Sequence, residues 1–202
     1  QYDIIKSADK IKWKELPEGL VRWPKEISTK EKLLHFAAYD WAPIAFVSKN
    51  NLAQSLNGLD DLLNPELKNQ IALQDPRTSS PGLQFLSWVM KSKTESESID
   101  YLKKLSLQAH SFSPSWSAAY GLFKNSQASV VLSYTTSPLY HLIEEKDSQY
   151  KSYEFKEGHP VQIEFAGVPE TCQNCEAGFR FIEFMNSDEA QKIIMTTNYM
   201  LL

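Results

Sequence analysis

Three times along this chain a Ser/Thr-rich turn containing a proline opens a stretch of helical periodicity, at residues 75–82, 113–116 and 134–138. Short apolar runs, Pro43 to Ser48, Ile71 to Gln74 and Ala128 to Tyr134, alternate with these stretches and are bounded by Pro, Asn, Asp and Ser, the pattern of buried strands. Ser80 before Pro81 suits an N-cap with proline at the first helical position, and Leu83, Leu86 and Met90 continue at helical spacing, predicting a helix from Pro81 to Lys91. Thr94 and Glu97 fit a capping box ahead of an apolar face of Ile99, Leu102 and Leu105. A helix starting near Ser113-Pro114 carries Trp116, Ala119, Tyr120 and Phe123 on one side, and Thr136-Ser137-Pro138 precedes another with Leu139, Leu142 and Ile143. Adding a helix at Gly58 to Leu63, strands at Tyr153 to Lys156 and Val161 to Phe165 that suggest a hairpin, and two closing helices with Phe179, Ile182 and Met185, then Ala190, Ile193 and Ile194, the order is β-α-β-α-α-α-β-α-β-β-α-α. Strands alternating with helices predict an α/β sheet with helices on its faces.

Composition narrows the function classes. The 202 residues suffice for one large or two small cores, and 42% hydrophobic with 23% charged residues excludes coiled-coil, collagen-like and wholly disordered chains. Twenty-one Lys and Arg against 25 Asp and Glu give a formal charge of -4 with no basic block, which argues against nucleic acid as a partner. No apolar run approaches the roughly 20 residues of a membrane span, so direct membrane insertion is not expected. Gln1-Tyr2-Asp3-Ile4-Ile5-Lys6 does not read as a secretory leader, which is expected of a processed chain or an internal fragment. Residues 1–34 read as an entry segment with little regular structure.

In an open α/β sheet, loops at the carboxyl ends of strands deliver side chains, and helix N-termini deliver free N–H groups, to a common pocket. The three Ser/Thr-Pro turns are therefore expected to meet there, although each serine and threonine also serves as an ordinary helix cap. Asp75 leaves a strand end and could meet a cationic ligand, or accept hydrogen bonds from the Thr78 or Ser79 backbone in an Asx-type turn; Arg77 could bind an anion or pair with Asp75. Trp116, Tyr134 and Tyr140 could form flat walls for a planar or cationic ligand, or simply belong to the core. The four histidines, His35, His110, His141 and His159, show no metal spacing, and no nucleophile motif occurs. Cys172 and Cys175, in a polar Cys-Gln-Asn-Cys loop, read better as a small structural disulfide than as a redox pair, and cannot by themselves complete a zinc site.

Several strings carry a resemblance. Gln74-Asp75-Pro76-Arg77-Thr78-Ser79-Ser80-Pro81-Gly82-Leu83, Trp116-Ser117-Ala118-Ala119-Tyr120-Gly121-Leu122-Phe123, Val131 to Leu142, Glu157-Gly158-His159 and Thr197-Asn198-Tyr199-Met200 closely resemble the periplasmic thiamine-binding proteins of bacterial ABC importers, over residues 39–200. The resemblance implies two α/β lobes joined by crossing strands with ligand closed between them, of which this chain holds the second lobe and an incomplete first. Residues 1–38 would enter from the first lobe, 39–165 would form the second lobe with hinge strands near Ile44 and Ile163, and 166–202 would return to the first. It further implies that Asp75, Trp116, Tyr134 and Tyr140 contact the ligand, with Ser79, Ser80 and Ser117 offering hydroxyls and helix N-termini to a hydroxyethyl arm or its phosphates. The expected cargo is thiamine or a thiamine phosphate, the partner a membrane permease, the location the periplasm, with no cofactor and no catalysis. The alternatives are a related binding protein for ferric iron or a polyamine, or an enzyme on the same fold.

Overall fold

The computed structural model describes residues 11–22, 34–49, 52 and 55–201. Two compact units divide the chain: Gln1–Trp41 with Ile163–Leu202, and Ala42–Gln162. They are called here the terminal unit and the central unit. In chain order the elements are β1 (Ala37–Lys49), two short 3-10 turns (Leu59–Leu63, Pro65–Leu67), β2 (Ile71–Gln74), α1 (Ser80–Ser92), α2 (Glu95–Gln108), β3 (Ser111–Ser113), α3 (Trp116–Lys124), β4 (Val130–Tyr134), α4 (Ser137–Glu144), β5 (Tyr150–Ser152), β6 (Val161–Ala166), α5 (Cys175–Met185) and α6 (Asp188–Thr197).

The sheet runs β3-β2-β4-β1-β5, with β6 also paired to β1. Strands β2, β3 and β4 are mutually parallel, while β1 is antiparallel to both β4 and β5. This is the α/β class with a mixed sheet flanked by helices that the alternation of elements predicts. The period of two along each strand sorts the core into two layers. Ile44, Phe46, Ile71, Leu73, Val130 and Leu132 face Phe85, Trp88 and Val89 of α1 and Tyr101 and Leu105 of α2. Val47, Ala72 and Val131, one step out of phase, face Ala119, Tyr120 and Phe123 of α3. Each such aliphatic or aromatic side chain taken from water contributes about 1.5–3 kcal/mol before entropy is counted.

Several expectations are corrected. Gly58 to Leu63 forms a 3-10 turn over Leu59–Leu63, not an α-helix. Residues 153–156 are not a strand; the strand is Tyr150–Ser152, and because β5 and β6 both pair with β1 they form no hairpin with each other. Ser79, not Ser80, is the N-cap of α1, and Ser115, not Ser113, caps α3, because Ser113 ends strand β3. The predicted helix faces also turn. In α1 the buried side chains are Phe85, Trp88 and Val89, while Met90 is exposed; in α2, Ile99 is exposed and Tyr101 and Leu105 are buried. Both helices carry apolar residues on more than one face, so period alone leaves the inward side open. The capping box on α2 is present as expected, with the Thr94 N–H donating to Glu97.

In the terminal unit, Leu16, Ala37, Val168 and Ile182 form a small buried cluster. Isolated bridges join Trp13 to Pro169, Arg22 to Ala37 and Trp41 to Leu201. Residues 11–22 carry no helix or strand beyond these bridges; the rest of the expected entry segment, apart from Leu34, lies outside the described residues. Among the described residues no helix is long and apolar enough to cross a membrane.

Candidate functional site

Because β2, β3 and β4 are parallel, their carboxyl ends, Gln74, Ser113 and Tyr134, come to one edge of the sheet, and α1, α3 and α4 begin just beyond it. Hydrogen bonds tie the loops together there. The Asp75 N–H donates to the Ser113 carbonyl at 2.8 Å, and the Thr78 hydroxyl donates to the Pro114 carbonyl at 2.8 Å. Helix α1 starts so close to the strand that a Cβ on Gly82 would lie 2.5 Å from the Gln74 carbonyl oxygen, which is why only glycine fits.

Asp75 is engaged within its own turn. Its Oδ1 accepts from the Arg77 backbone N–H at 2.9 Å, an Asx-type arrangement one residue earlier than the Thr78 or Ser79 donors anticipated. The Arg77 guanidinium holds both carboxylate oxygens, with Nη2 at 2.6 Å from Oδ2. These hydrogen bonds from the Arg77 side chain and backbone bring the Asp75 carboxyl down to about 2, so it is charged at any physiological pH. Nearby, the buried Ser79 hydroxyl and the Gln74 Oε1 have no hydrogen-bond partner. Ser80 and Ser117 are exposed at the first turns of α1 and α3. Ser115 caps α3 by accepting from the Ala118 N–H at 3.2 Å.

The aromatic residues are half-buried. The Trp116 ring stacks on Tyr120 with centroids 4.8 Å apart and lies 6.4 Å from Tyr134. Its indole N–H donates to the Ser133 hydroxyl at 2.8 Å; Ser133 in turn meets the Ser137 hydroxyl at 2.7 Å, and Ser137 accepts the Tyr134 N–H at 3.2 Å. Tyr140 stands further along α4, against the His141 ring and under Lys124, whose ammonium donates to the Tyr140 oxygen at 2.8 Å. The structure thus places the Trp116 and Tyr134 rings side by side and sets Tyr140 against Lys124 and His141; of the residues around these rings, Lys124, Glu145 and Ser133 were given no role by the sequence.

Helix α4 reverses its expected face. Leu139, Leu142 and Ile143 are 44%, 49% and 44% exposed, whereas His141 is fully buried. The Cys172–Cys175 disulfide lies in the terminal unit, just before α5, whose N-cap Asn174 accepts from the Ala177 N–H at 3.1 Å. Among the described residues no group of three His, Cys, Asp or Glu is placed to hold a metal ion.

Three helix N-termini, a charged carboxylate and half-buried aromatics thus share one parallel-strand edge, the kind of edge at which open α/β sheets receive ligands. The family model of bacterial extracellular solute-binding proteins matches residues 2–198, and the chain belongs to that family. It is 37% identical over 166 residues to the thiamine-binding periplasmic protein of Escherichia coli (strain K12), a match covering 82% of this chain and 50% of that protein. The chain therefore spans about half the length of the curated relatives it matches. A solved periplasmic thiamin binding protein superposes with a TM-score of 0.86 at 32% identity, covering 98% of this chain and 62% of that one. Iron-bound HitA from Pseudomonas aeruginosa, at 19% identity and a TM-score of 0.75 over 96% of this chain and 64% of its own, shares the fold alone.

Proposed function

We propose that this chain is part of a periplasmic solute-binding protein that captures thiamine or a thiamine phosphate and delivers it to the membrane permease of an ABC importer, with no reaction catalysed. The observation that carries the reading is the pairing, at one strand edge, of a carboxylate held charged at Asp75 with the adjacent rings of Trp116 and Tyr134. Thiamine presents a cationic thiazolium and a flat aminopyrimidine. The carboxylate offsets the cation in competition with Arg77, and each aromatic face adds about 0.5–2 kcal/mol of cation–π attraction. Phosphate oxygens on the hydroxyethyl arm suit the helix N-termini beside Ser79, Ser80 and Ser117. Tyr140 completes the wall on α4. The names of the relatives support the cargo and the compartment.

Titrating thiamine into the complete protein while following tryptophan fluorescence tests the proposal. The expected result is a saturable quench that Trp116→Phe removes, and a loss of roughly 1–3 kcal/mol in calorimetric affinity for Asp75→Asn, the range for a charged hydrogen-bond partner. Absence of binding by both methods, or unchanged affinity in Asp75→Asn, would overturn it.

A further inference from the structure

The residues that hold Tyr140 and Trp116 are joined in one continuous chain of contacts inside the central unit. Lys124 is its outer end: the ammonium donates to the Tyr140 oxygen at 2.8 Å and pairs with Glu145 Oε1 at 2.8 Å. Glu145 Oε2 lies 2.6 Å from His141 Nδ1, and His141 Nε2 lies 2.9 Å from the Tyr120 hydroxyl. Tyr120 then stacks under Trp116, whose N–H continues through Ser133 and Ser137 to the Tyr134 backbone.

The direction of each bond follows from the charges. Lys124 and His141 bring Glu145 down to about 2, so it is a carboxylate and can only accept; His141 Nδ1 is therefore a donor. Burial pushes the Tyr120 hydroxyl up, so it stays protonated and hydrogen-bonds Nε2 as a neutral phenol.

This arrangement is costly as plain core. A helix whose leucines and isoleucine face outward while its histidine is fully buried inverts ordinary patterning, and buried polar groups destabilise unless every one is paired. The imidazole is packed parallel to Tyr150, with centroids 3.4 Å apart and planes within 7°, and meets Phe123 and Tyr140 by its edges, so it has a single orientation.

We infer that Lys124, Glu145 and His141 are positioning residues of the proposed site: they fix Tyr140 at one end and, through Tyr120, Trp116 at the other, without forming the walls themselves. The ligand half of this inference rests on the thiamine reading; the ordering of the rings does not.

Lys124→Met separates positioning from simple electrostatics by sign. A lysine that merely lay near a cationic ligand would repel it, so its removal would tighten thiamine binding. A lysine that holds Tyr140 gives the opposite result, and we expect binding weaker by roughly tenfold, the scale of one charge-assisted hydrogen bond. Lys124→Arg, which keeps the donors, should recover most of the affinity, and Lys124→Met should have no further effect in a Tyr140→Phe background. Tighter binding in Lys124→Met, or an equal loss in the Tyr140→Phe background, would overturn the inference.

A ligand-free arm keeps the two readings distinguishable. In aromatic-labelled protein, Lys124→Met and Glu145→Gln should each shift the exchange-protected His141 Nδ1–H resonance and broaden the Tyr140 ring signals. Lys104→Met, which breaks only the exposed pair with Asp100, should do neither. Tyr140 and His141 signals unchanged in Lys124→Met would overturn the positioning whether or not thiamine binds. If the complete, unmodified protein fails to bind thiamine while the shifts appear, the cargo reading falls and the ordering of the rings stands.

Discussion

The central and terminal units solve the burial problem differently. In the central unit, both faces of the sheet are covered, and residues such as Ile44, Phe46, Ile71 and Leu132 have no exposure at all. Among the described residues of the terminal unit the buried cluster is Leu16, Ala37, Val168 and Ile182, while Phe181, Phe184 and Ile193 on its two helices are 60%, 46% and 51% exposed. Among its described residues the terminal unit relies instead on a few discrete ties: the disulfide, the bridge from Trp13 to Pro169, and a half-buried polar cluster. In that cluster Tyr39 donates to Glu164 at 2.7 Å and Asn198 donates to Asp40 at 2.7 Å. A covered sheet makes a rigid platform for the loops at its carboxyl edge. A unit held by a few discrete ties is the part expected to open first.

The sharpest way to break this contrast is to excavate the central core. Phe46 packs against Phe85, Trp88 and Phe155, and Phe46→Ala should cost about 3–5 kcal/mol in denaturant unfolding. A much smaller loss would mean the central unit is not the better packed of the two.

The next effect belongs to the terminal unit and depends on pH. Burial, reinforced by the Glu164 charge and opposed by the Asn198 hydrogen bond, raises Asp40 from 3.8 to about 6. Its folded value lies above its unfolded one, so the folded state binds the extra proton between those limits. The contribution of Asp40 to stability is then fully present below about pH 4 and is lost as pH rises through about 6, by up to about 3 kcal/mol. Asp40→Asn should abolish that slope and stabilise the protein at pH 7. A slope that survives the substitution would assign it to another group.

Smaller still is the disulfide. It closes a loop of only a few residues, for which chain entropy gives about 2 kcal/mol. Cys172→Ser with Cys175→Ser should raise amide exchange in α5 and around residues 12–14 while leaving β2 and β4 protected. Exchange that rises equally in both units would show them to unfold together. Smallest is Phe181→Ala, expected within about 0.5 kcal/mol because the ring is already 60% exposed. A large loss would reveal burial of that helix face in solution.

Much of the central unit was legible in the residues. The strand at Val130–Tyr134, the capping box at Thr94 and the proline-opened helices follow from local chemistry, and the three Ser/Thr-Pro turns do gather at one sheet edge. Strand β3 was not legible, because Ser111–Ser113 has no apolar run and is a strand only through its register with Ala72 to Gln74. The Asp75 turn was half legible: a pairing with Arg77 was among its readings, but the backbone donor is Arg77 itself.

By itself the sequence determined that strands and helices alternate and, at Thr94 and Thr136, where a helix begins, because caps, prolines and periodicity act within a few residues. Only the tertiary structure decided which face of each helix turns inward and which partner each buried polar group finds. On α4 the local pattern favoured burying Leu139, Leu142 and Ile143, yet His141 went inside, since Tyr120, Tyr150 and Glu145 were there to stack on it and satisfy both ring nitrogens. Such a choice depends on residues distant in sequence: Tyr120 lies 21 positions from His141, and Tyr39 lies 125 from Glu164. A buried polar group is stable only when its partners arrive with it, and that is a property of the folded whole.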